Sequence, residues 1–415
     1  MAKGFFLAGH AANACRNAIG VTVSSEDPKF LKANLQDGYL YSPFKFDNPA
    51  ETNPSIAFDN NVVDNGTYEA DAAGVSPPSF WRTLSGSPDV STDQFNDGAK
   101  SLRLNLANEA AFQDRLVAPA TTHRISSALR GDGSANAVNG YLINMDTMQY
   151  LTNAPAWTTT KTAWATKTAA AWETFALTYT LPAPPYGWVG PTRLRLLYER
   201  PGTVTGAAYV DSVAMWPKIT CAALLIHAIP NSFPIAIESA DDSAFSTNLN
   251  DHGDLPAWAW KSYLTFAGPA TPQRHWRYAV TGALLAQRLP TWVTQPVMGE
   301  RKEFLRSPRF GIVMARRMPK GGTEDQPSSQ ALVPRHRFEM DWGTNASALQ
   351  QVADEMVGGS RHGDEPVLAV PEIGRPEFVY GRGEGLAEIS VTRRSSSKYL
   401  YSLSFEDDRS FVDTM

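Results

Sequence analysis

The chain has 415 residues, of which 43% are hydrophobic and only 19% charged, and it contains 30 Gly, 29 Pro and 11 Trp. This composition favours many short strands joined by turns over long solvated helices, and the length suits two or three domains. A net charge of −5 without long Lys/Arg runs argues against a nucleic-acid partner, and no apolar stretch reaches the roughly 18 residues of a membrane-spanning helix.

The two cysteines, Cys15 and Cys221, are too few for a disulfide framework in a chain of this length. Neither lies in a metal-binding Cys-x-x-Cys spacing. We therefore predict buried free thiols, as in a protein made in a reducing cytoplasm. The apolar run at the N-terminus is shorter than the core of a secretion signal, so no export signal is expected.

Strand signals near the N-terminus resemble those found after residue 217. Val21–Ser25 and Tyr39–Phe46 are β-prone, and an Asp-Gly turn precedes the second. Cys221–His227 is a continuous apolar run and predicts a strand buried on both faces. Tyr263–Phe266 and Trp276–Thr281 continue the pattern. Residues 1–50 and 218–300 are therefore predicted to be two halves of one split β-sandwich.

The segment between these halves, residues 51–217, predicts a complete second β-sandwich. It opens with a glycine turn into a first strand at Asp64–Glu69, passes through Ser101–Leu106 and closes with Tyr209–Met215. An opening turn, alternating strands and a closing strand are what two packed sheets require. A domain inserted into a loop of another should have chain ends that lie close together.

Residues 301–415 predict a small α+β barrel-like domain. Ser307–Gly311 indicates a turn and Gly321–Ser329 a loop. Thr344–Val357 has apolar residues at helical spacing and ends at a Gly-Gly pair, which predicts a helix. The predicted strands are His336–Trp342, Pro366–Val370, Phe378–Tyr380, Ala387–Val391 and Tyr399–Phe405.

The tryptophans of residues 51–217 have two competing interpretations. An exposed ring can stack on the apolar face of a sugar, but sandwich cores also use Trp. Trp172 precedes an alternating strand and is predicted to lie in the core. Trp157 and Trp164 lie in a Thr/Ala/Lys-rich stretch with little hydrophobic support. Together with Trp81 they are the candidate carbohydrate-binding residues.

Catalytic motifs are absent from the sequence. It contains no metalloprotease His-Glu-x-x-His, no phosphate-binding glycine loop and no Gly-x-Ser-x-Gly elbow. His227 is predicted to be a hydrogen-bonded core residue. Asp241 and Asp242 are adjacent, so on a strand they would point to opposite faces, and we predict a solvated turn there. The chain is accordingly expected not to be an enzyme.

Three parts of the sequence resemble known families. Residues 64–215, with Asn65-Gly66-x-x-Glu69 at the start and Val210-Asp211-Ser-Val213 at the end, resemble the jelly-roll carbohydrate-binding modules. The flanking halves resemble a discoidin-type domain through Ser24-Ser25, Asn34-Leu35-x-Asp37-Gly38 and Trp276-Arg-Tyr278. The whole arrangement, ending in Ser404-Phe405-Glu406-Asp407, is similar to tail-tip and other virion structural proteins of long-tailed bacteriophages.

The resemblance implies a mainly β protein: a discoidin-like β-sandwich interrupted by a jelly-roll β-sandwich and followed by the small C-terminal domain. In modules of this type Glu69 and Asp211 would meet at one edge and could bind Ca²⁺, with Asp71 nearby. A salt link or a capped turn without metal is the alternative there.

The same resemblance implies a tail-tip or baseplate protein of the virion. It would form a ring, a trimer or hexamer, contact the tail tube and hub, and present its jelly roll to a host glycan. A glycan-active depolymerase with a targeting module and a head decoration protein stay open as alternatives.

Overall fold

The computed structural model describes residues 3–36, 43–48, 51–134, 138–183, 190–202, 206–225, 227–230, 232–256, 262–282, 292–304, 309–315, 335–344, 366–375, 378–382, 390–395 and 398–407. For 309–315, 335–344, 390–395 and 398–407 this description covers the backbone. The described part is mainly β, with one α-helix, α1 (Ala14–Asn17), and 3-10 turns at His10–Ala12 and Lys32–Leu35. The predicted fold class is confirmed.

The strands are numbered in chain order. Those before residue 60 are β1 (Phe5–Ala8), β2 (Gly20–Val23), β3 (Phe44–Lys45) and β4 (Ser55–Asp59). The next group is β5 (Arg82–Ser85), β6 (Asp89–Ser91), β7 (Ser101–Leu104), β8 (Glu109–Val117), β9 (Thr122–Arg130), β10 (Val138–Asn144), β11 (Gln149–Leu151), β12 (Trp157–Thr158), β13 (Ala165–Lys167), β14 (Glu173–Thr180), β15 (Thr192–Arg200) and β16 (Ala208–Pro217). The last group is β17 (Cys221–Leu224), β18 (Ile235–Ala240), β19 (Asn250–Asp254), β20 (Ser262–Thr265), β21 (His275–Val280), β22 (Trp292–Val293), β23 (Pro296–Gly299), β24 (Lys302–Glu303), β25 (Arg309–Ala315), β26 (Arg335–Thr344), β27 (Val367–Val370), β28 (Val379–Arg382), β29 (Ser390–Ser395) and β30 (Lys398–Asp407).

Strands β5 to β16 form a jelly-roll β-sandwich. Its seven-stranded sheet has the order β12-β11-β10-β15-β8-β5, with β13 also paired to β10, and its back sheet has the order β14-β9-β16-β7-β6. Consecutive long strands alternate between the two sheets, so their inward residues meet in one core. That core contains Trp81, Tyr198 and Leu142 from the seven-stranded side, and Ile125 and Val210 from the back sheet.

The start of the sandwich differs from the prediction. Asp64–Glu69 forms a turn instead of leading into a strand, and the first strand of the sandwich is β5. Asn65 and Tyr68 have positive φ angles of 47° and 60°, a backbone conformation that ends an extended segment. The predicted middle and closing strands are confirmed as β7 and β16.

Outside the sandwich lies a five-stranded sheet, here called the host sheet. It combines strands that precede the sandwich in the chain with strands that follow it. Its order is β19-β18-β21-β4-β2. β4 pairs with β2 along one edge and with β21 along the other. Residues 55–59 had been assigned to the start of the inserted segment, but they are a central strand of the host sheet. The chain therefore enters the sandwich after Asp59, not at residue 51.

Strand β17 lies between two hydrophobic cores, as its continuous apolar sequence predicts. Ala222 and Leu224 pack into the core under the host sheet. Ala223 and Leu225 pack on the other side, against residues that include Phe5 and Leu368. Tyr278 ties the layers together, because its hydroxyl donates to the Ala223 carbonyl. The buried strand predicted from residue 221 onward is thus confirmed.

An eight-stranded sheet pairs β1, near the start of the chain, with strands from the C-terminal part. Its order is β24-β1-β27-β28-β30-β26-β25, with β29 also paired to β30. β1 pairs with β24 and β27, so residues 5–8 join C-terminal strands although they were assigned to the split half. Four of the five predicted C-terminal strands are confirmed as β26, β27, β28 and β30. Of the fifth, Ala387–Val391, residues 387–389 lie outside the described residues and 390–391 begin β29. Arg309–Ala315 is a strand, however, so residues 309–311 do not belong to the predicted turn at Ser307–Gly311.

Two other predictions for this region cannot be compared with the structure. The loop Gly321–Ser329 lies outside the described residues, and so does the helix Thr344–Val357, apart from Thr344 itself, which ends β26. In the part of the chain that is described, no helix has the length and apolarity to cross a membrane.

Both cysteines are free and buried, as predicted. Burial raises the pKa of Cys221 to about 12 and that of Cys15 well above its usual range. Both thiols are therefore protonated at neutral pH and chemically quiet.

The two chain segments that join the sandwich to the host sheet lie side by side. The Val62 amide donates to the Met215 carbonyl over 2.8 Å, and the Met215 amide donates to Asn61 Oδ1 over 2.9 Å. A short linker could therefore connect residue 61 to residue 216.

Replacing residues 62–215 by a short Gly/Ser linker is expected to leave the host sheet folded, because only a closed loop is shortened. Replacing residues 51–217 is the matched comparison, and it should abolish folding because it removes β4 from the centre of the host sheet. Circular dichroism and thermal unfolding distinguish the two proteins. An insoluble 62–215 replacement, or a folded 51–217 replacement, would contradict these boundaries.

Candidate functional site

The seven-stranded sheet is apolar on both sides. Positions such as Ala111, Leu142 and Leu196 face the core. The alternate positions of the same strands point away from the core, yet five of them are apolar and less than a tenth exposed: Ala110, Phe112, Tyr141, Ile143 and Leu197. The register places Phe112 opposite Leu197 and Leu197 opposite Tyr141. These five residues, with Tyr150 packed against them, are called the aromatic face.

Two cations lie over the rings of the aromatic face. The Arg195 guanidinium is 4.0 Å from the centre of the Phe112 ring, and the Lys161 ammonium is 4.8 Å from the centre of the Tyr141 ring. Tyr150 meets Tyr141 edge to face at 6.3 Å. These distances are within the range of cation–π attraction, and the long stems of the cations help to bury the apolar floor.

Each cation is paired with a carboxylate. Arg195 and Asp114 are opposite one another in the register and form two hydrogen bonds, of 2.7 and 2.9 Å. Lys161 Nζ donates to both oxygens of Glu199, over 2.8 and 2.6 Å. Asp114 raises the pKa of Arg195. Burial lowers the pKa of Lys161, but the Glu199 carboxylate outweighs it and the net shift is upward.

The arrangement offers an apolar floor with charged hydrogen-bonding groups above it. The Lys161 side chain is 47% exposed, and the Arg195, Asp114 and Glu199 side chains are partly exposed. Their N–H groups can donate to a ligand and their carboxylates can accept from one. A polyhydroxylated ring presents hydroxyls at its edge and C–H groups on its faces, and this combination matches both layers.

The three candidate tryptophans do not lie on this face. Trp81 and Trp164 are 3% and 4% exposed and lie in the core between the two sheets, where a sugar cannot reach them, whereas the buried rings of the aromatic face belong to a separate cluster covered by charged side chains. Trp157 is half-buried against the same core and donates its indole N–H to the Thr180 carbonyl. Burial in the core corrects the interpretation of Trp81 and Trp164 as surface aromatics, and Trp157 keeps only partial exposure at the edge strand β12.

Trp172 also differs from its prediction. It is half-buried outside the core cluster, and its ring centre is 6.5 Å from that of Tyr209. Strand β14 places Phe175 and Leu177 against the core, and only Tyr179 of this alternating set is fully buried. Trp172 lies before the first residue of β14, so it does not continue the row of core-facing side chains on that strand.

The predicted calcium residues hold a loop. Asp211 Oδ2 accepts hydrogen bonds from the amides of Asn96 and Asp97, over 2.8 and 2.9 Å. Glu69 Oε1 accepts from the amides of Ala99 and Lys100, over 2.6 and 2.8 Å. Both carboxylates therefore bind the backbone of residues 96–100.

Local backbone features explain this geometry. A β-bulge in β16 lies between Asp211 and Ala214, and it turns the Ser212 amide toward Asp211 Oδ1. Gly98 has φ +72°, and a side chain there would collide with the Glu69 carboxylate. Among the described residues no group of three or more His, Cys, Asp or Glu is placed to hold a metal ion. In this structure Glu69 and Asp211 therefore act as a pair of loop-capping carboxylates.

A hydroxyl–imidazole pair in the host sheet does not form a catalytic site. Ser239 Oγ lies 2.7 Å from His252 Nε2, but the serine is fully buried and donates to Gln273. The His252 ring stacks against both Phe266 and Trp276, with ring centres 4.5 and 4.8 Å away. A nucleophile must reach its substrate, so this pair is structural.

Asp241 and Asp242 lie in a turn, as predicted. Asp242 accepts from the Ser246 hydroxyl and the Thr247 amide, and these bonds lower its pKa to about 2. Asp241 accepts from the Asn248 side chain. A carboxyl with so low a pKa as Asp242 is ionised at neutral pH and does not suit the proton-holding acid of a glycosidase pair.

His227 is buried, as predicted, but the predicted hydrogen bond is not seen. Among the described residues neither ring nitrogen has a hydrogen-bond partner. Burial lowers its pKa to about 4, an effect that the Ile229 backbone partly opposes.

No protein-family model and no curated protein sequence matches this chain. Solved structures do resemble it. A family 16 carbohydrate-binding module is 13% identical, with a TM-score of 0.28, over 37% of this chain and 99% of the module. The enzymatically active domain of tailspike protein 4 from bacteriophage CBA120 is also 13% identical, with a TM-score of 0.28, over 38% of this chain and 21% of that one.

A cyclase from Fischerella sp. TAU is 10% identical, with a TM-score of 0.28, over 38% of this chain and 95% of the cyclase. Binding modules and enzymes thus both occur among these likenesses. At these identities and TM-scores the likenesses carry no argument, and function must come from the site itself.

The contacts between Asp211 and the loop at residues 96–100 predict a specific pH dependence of stability. Burial raises the pKa of Asp211 to about 6 from an ordinary 3.8, against the opposing effect of its three amide donors. The native state therefore holds this proton more tightly than the unfolded chain. The stability that the carboxyl contributes is full below about pH 4 and is lost as the pH rises to about 6.

Thermal unfolding of the wild type and of Asp211→Asn between about pH 3.5 and about 7.5 tests this pH dependence. The advantage of the wild type should shrink as the pH rises from about 4 to about 6 and then stay constant. All other titrating groups are common to both proteins and cancel in the difference. Parallel curves across the whole range would contradict the assigned protonation.

Proposed function

We propose that the jelly-roll sandwich binds a carbohydrate on the aromatic face. The observation that carries the proposal is the pairing of an apolar, ring-containing floor with two salt bridges lying over it. A sheet surface without a ligand has no need of buried aromatics on its outer side, because water can cover it.

The charges on this face favour a neutral sugar. Lys161 is neutralised by Glu199, and Arg195 by Asp114. A nucleic acid or a highly anionic polysaccharide would require an excess of positive charge. A neutral sugar requires both donors and acceptors, which the two ion pairs supply in equal measure. Each carboxylate is held by a cation, and this suits hydrogen bonding better than the proton transfer that a depolymerase requires.

The sandwich is joined to the rest of the chain through its back sheet and an adjoining turn. Thr122 of β9 hydrogen-bonds to Glu300, and the Trp216 indole of β16 donates to the Pro272 carbonyl over 2.8 Å. Lys302 donates to the carbonyl of Ala120. The aromatic face lies on the opposite sheet, and this supports its role as the outward surface of the module.

We propose further that the chain is a non-enzymatic structural protein of a bacteriophage virion, in the tail tip or baseplate. The overall sequence pattern supports this assignment. In that setting a ring of copies would contact the tail tube and hub, and each sandwich would face a glycan of the host surface. Weak binding by one module would become useful through many simultaneous contacts.

The glycan proposal is tested on an array of bacterial surface polysaccharides with the full-length protein. Lys161→Met removes a charged donor from the aromatic face. It should weaken binding to a glycan that the wild type binds on the array about tenfold. The matched control is Lys167→Met, because Lys167 forms a similar 2.6 Å ion pair with Glu173 that links the edge strands of the two sheets. This variant should change affinity by less than about twofold.

Trp157→Ala reports on the alternative position at β12. Loss of binding in this variant but not in Lys161→Met would move the site away from the aromatic face. The absence of binding to any glycan by the wild type would contradict the proposal and leave the module a bracing role between subunits.

The assembly proposal predicts a closed homo-oligomer, because ring-forming contacts must close on themselves around a three-fold or six-fold tail axis. Light scattering on the purified protein and mass spectrometry of purified virions check it. A protein that is monomeric at all concentrations and absent from particles would contradict it. Flanking tail-tube and hub genes would separate a tail protein from a head decoration protein.

A further inference from the structure

A cavity of about 220 Å³ lies outside the sandwich, beside strands β18, β19 and β20. Among the described residues, its walls are mainly apolar: Ile229, Phe233, Ile235 and Leu255, together with three prolines. His227, Ser262 and Asp254 supply the polar groups. The cavity therefore combines a hydrophobic wall with a small number of polar positions, as small-molecule sites do.

The polar groups differ in depth. His227 is 5% exposed and Ser262 is fully buried, whereas Asp254 and Pro234 are exposed. The cavity thus opens beside Asp254 and ends at the histidine. The Ser262 hydroxyl donates to the Pro256 carbonyl over 2.8 Å, so it is already engaged.

His227 is the unexplained group. Both of its ring nitrogens are buried and have no hydrogen-bond partner in the part of the chain that the structure describes. A buried polar group without a partner destabilises the fold, and native structures seldom retain one without a role. Because the ring is neutral at physiological pH, it has one N–H donor and one nitrogen acceptor. A single hydroxyl group could satisfy either of them.

The dimensions and walls limit the ligand. A dry apolar cavity of about 150 Å³ is enough to hold benzene, so 220 Å³ accommodates one substituted six-membered ring. A sugar is excluded by chemistry, because its several hydroxyls would face the walls of proline, isoleucine and leucine without partners. A ring with one hydroxyl leaves no such group unpaired.

We propose that this cavity is a binding site for a small phenol-type compound, with the ring between Phe233 and the aliphatic walls and the hydroxyl hydrogen-bonded to His227. The site is independent of the aromatic face and of the proposed carbohydrate binding.

The test is ligand-observed NMR on the full-length protein, with p-cresol and toluene as probes. The two probes differ only in the hydroxyl group. p-Cresol should bind with a dissociation constant in the millimolar range and about three- to tenfold more tightly than toluene. His227→Phe keeps a ring in place and removes both nitrogens, so the two probes should then bind equally.

His275→Gln is the control, because His275 lies in β21 and does not line the cavity. It should preserve the difference between the probes. The comparison of the two probes on the wild type decides the matter even if His227→Phe fails to fold. No binding of either probe to the wild type, or equal binding of the two, overturns the proposal, and so does an undiminished preference for p-cresol in His227→Phe.

Discussion

The sandwich depends on one constraint: β8, β10 and β15 must bury apolar side chains on both of their faces. On the inner face, residues such as Leu142 and Leu196 meet the back sheet and form the core. On the outer face the described part of the chain packs no second sheet, and Phe112 and Tyr141 are covered by neighbours such as Tyr150 and by the side chains of Arg195 and Lys161. The salt bridges that hold these cations in place therefore also create the candidate binding surface.

Outside the sandwich, strand β17 also has two apolar faces, and further layers of the protein cover both of them. Its short side chains Ala222 and Ala223 allow sheets to approach from both sides. Strand β17 is covered by buried apolar layers and is inaccessible, whereas the cover of the seven-stranded sheet consists of charged side chains that a ligand can reach. Similar strand sequences thus have different functional consequences.

Much of the fold could be predicted from the sequence, because strand alternation and turn residues act locally. β16, β17 and the C-terminal strands were predicted in this way. The partners of a strand are a long-range property, so β4 was assigned to the wrong side of the domain boundary and β1 to the wrong sheet. Similarly, composition marked Trp81 and Trp164 as candidates, but only packing shows that they fill the core.

The aromatic face escaped the sequence analysis although a signal was present. Ala110 and Phe112 in β8, and Tyr141 and Ile143 in β10, occupy the positions opposite in parity to the core residues. An apolar residue at both parities indicates a strand covered on two sides, and this pattern could have directed attention to the outer surface. The cations above it could not have been placed, because Lys161 comes from a loop beyond β12.

The central claim is that carbohydrate binds over Tyr141 and Phe112. A crystal structure of the full-length protein soaked with the oligosaccharide that ranks first on the array tests it most directly. The account predicts a sugar ring over the aromatic face, with hydroxyls within hydrogen-bonding distance of Lys161, Glu199 or Arg195. A sugar bound to the back sheet or at the β12 edge, with the aromatic face empty, would contradict it.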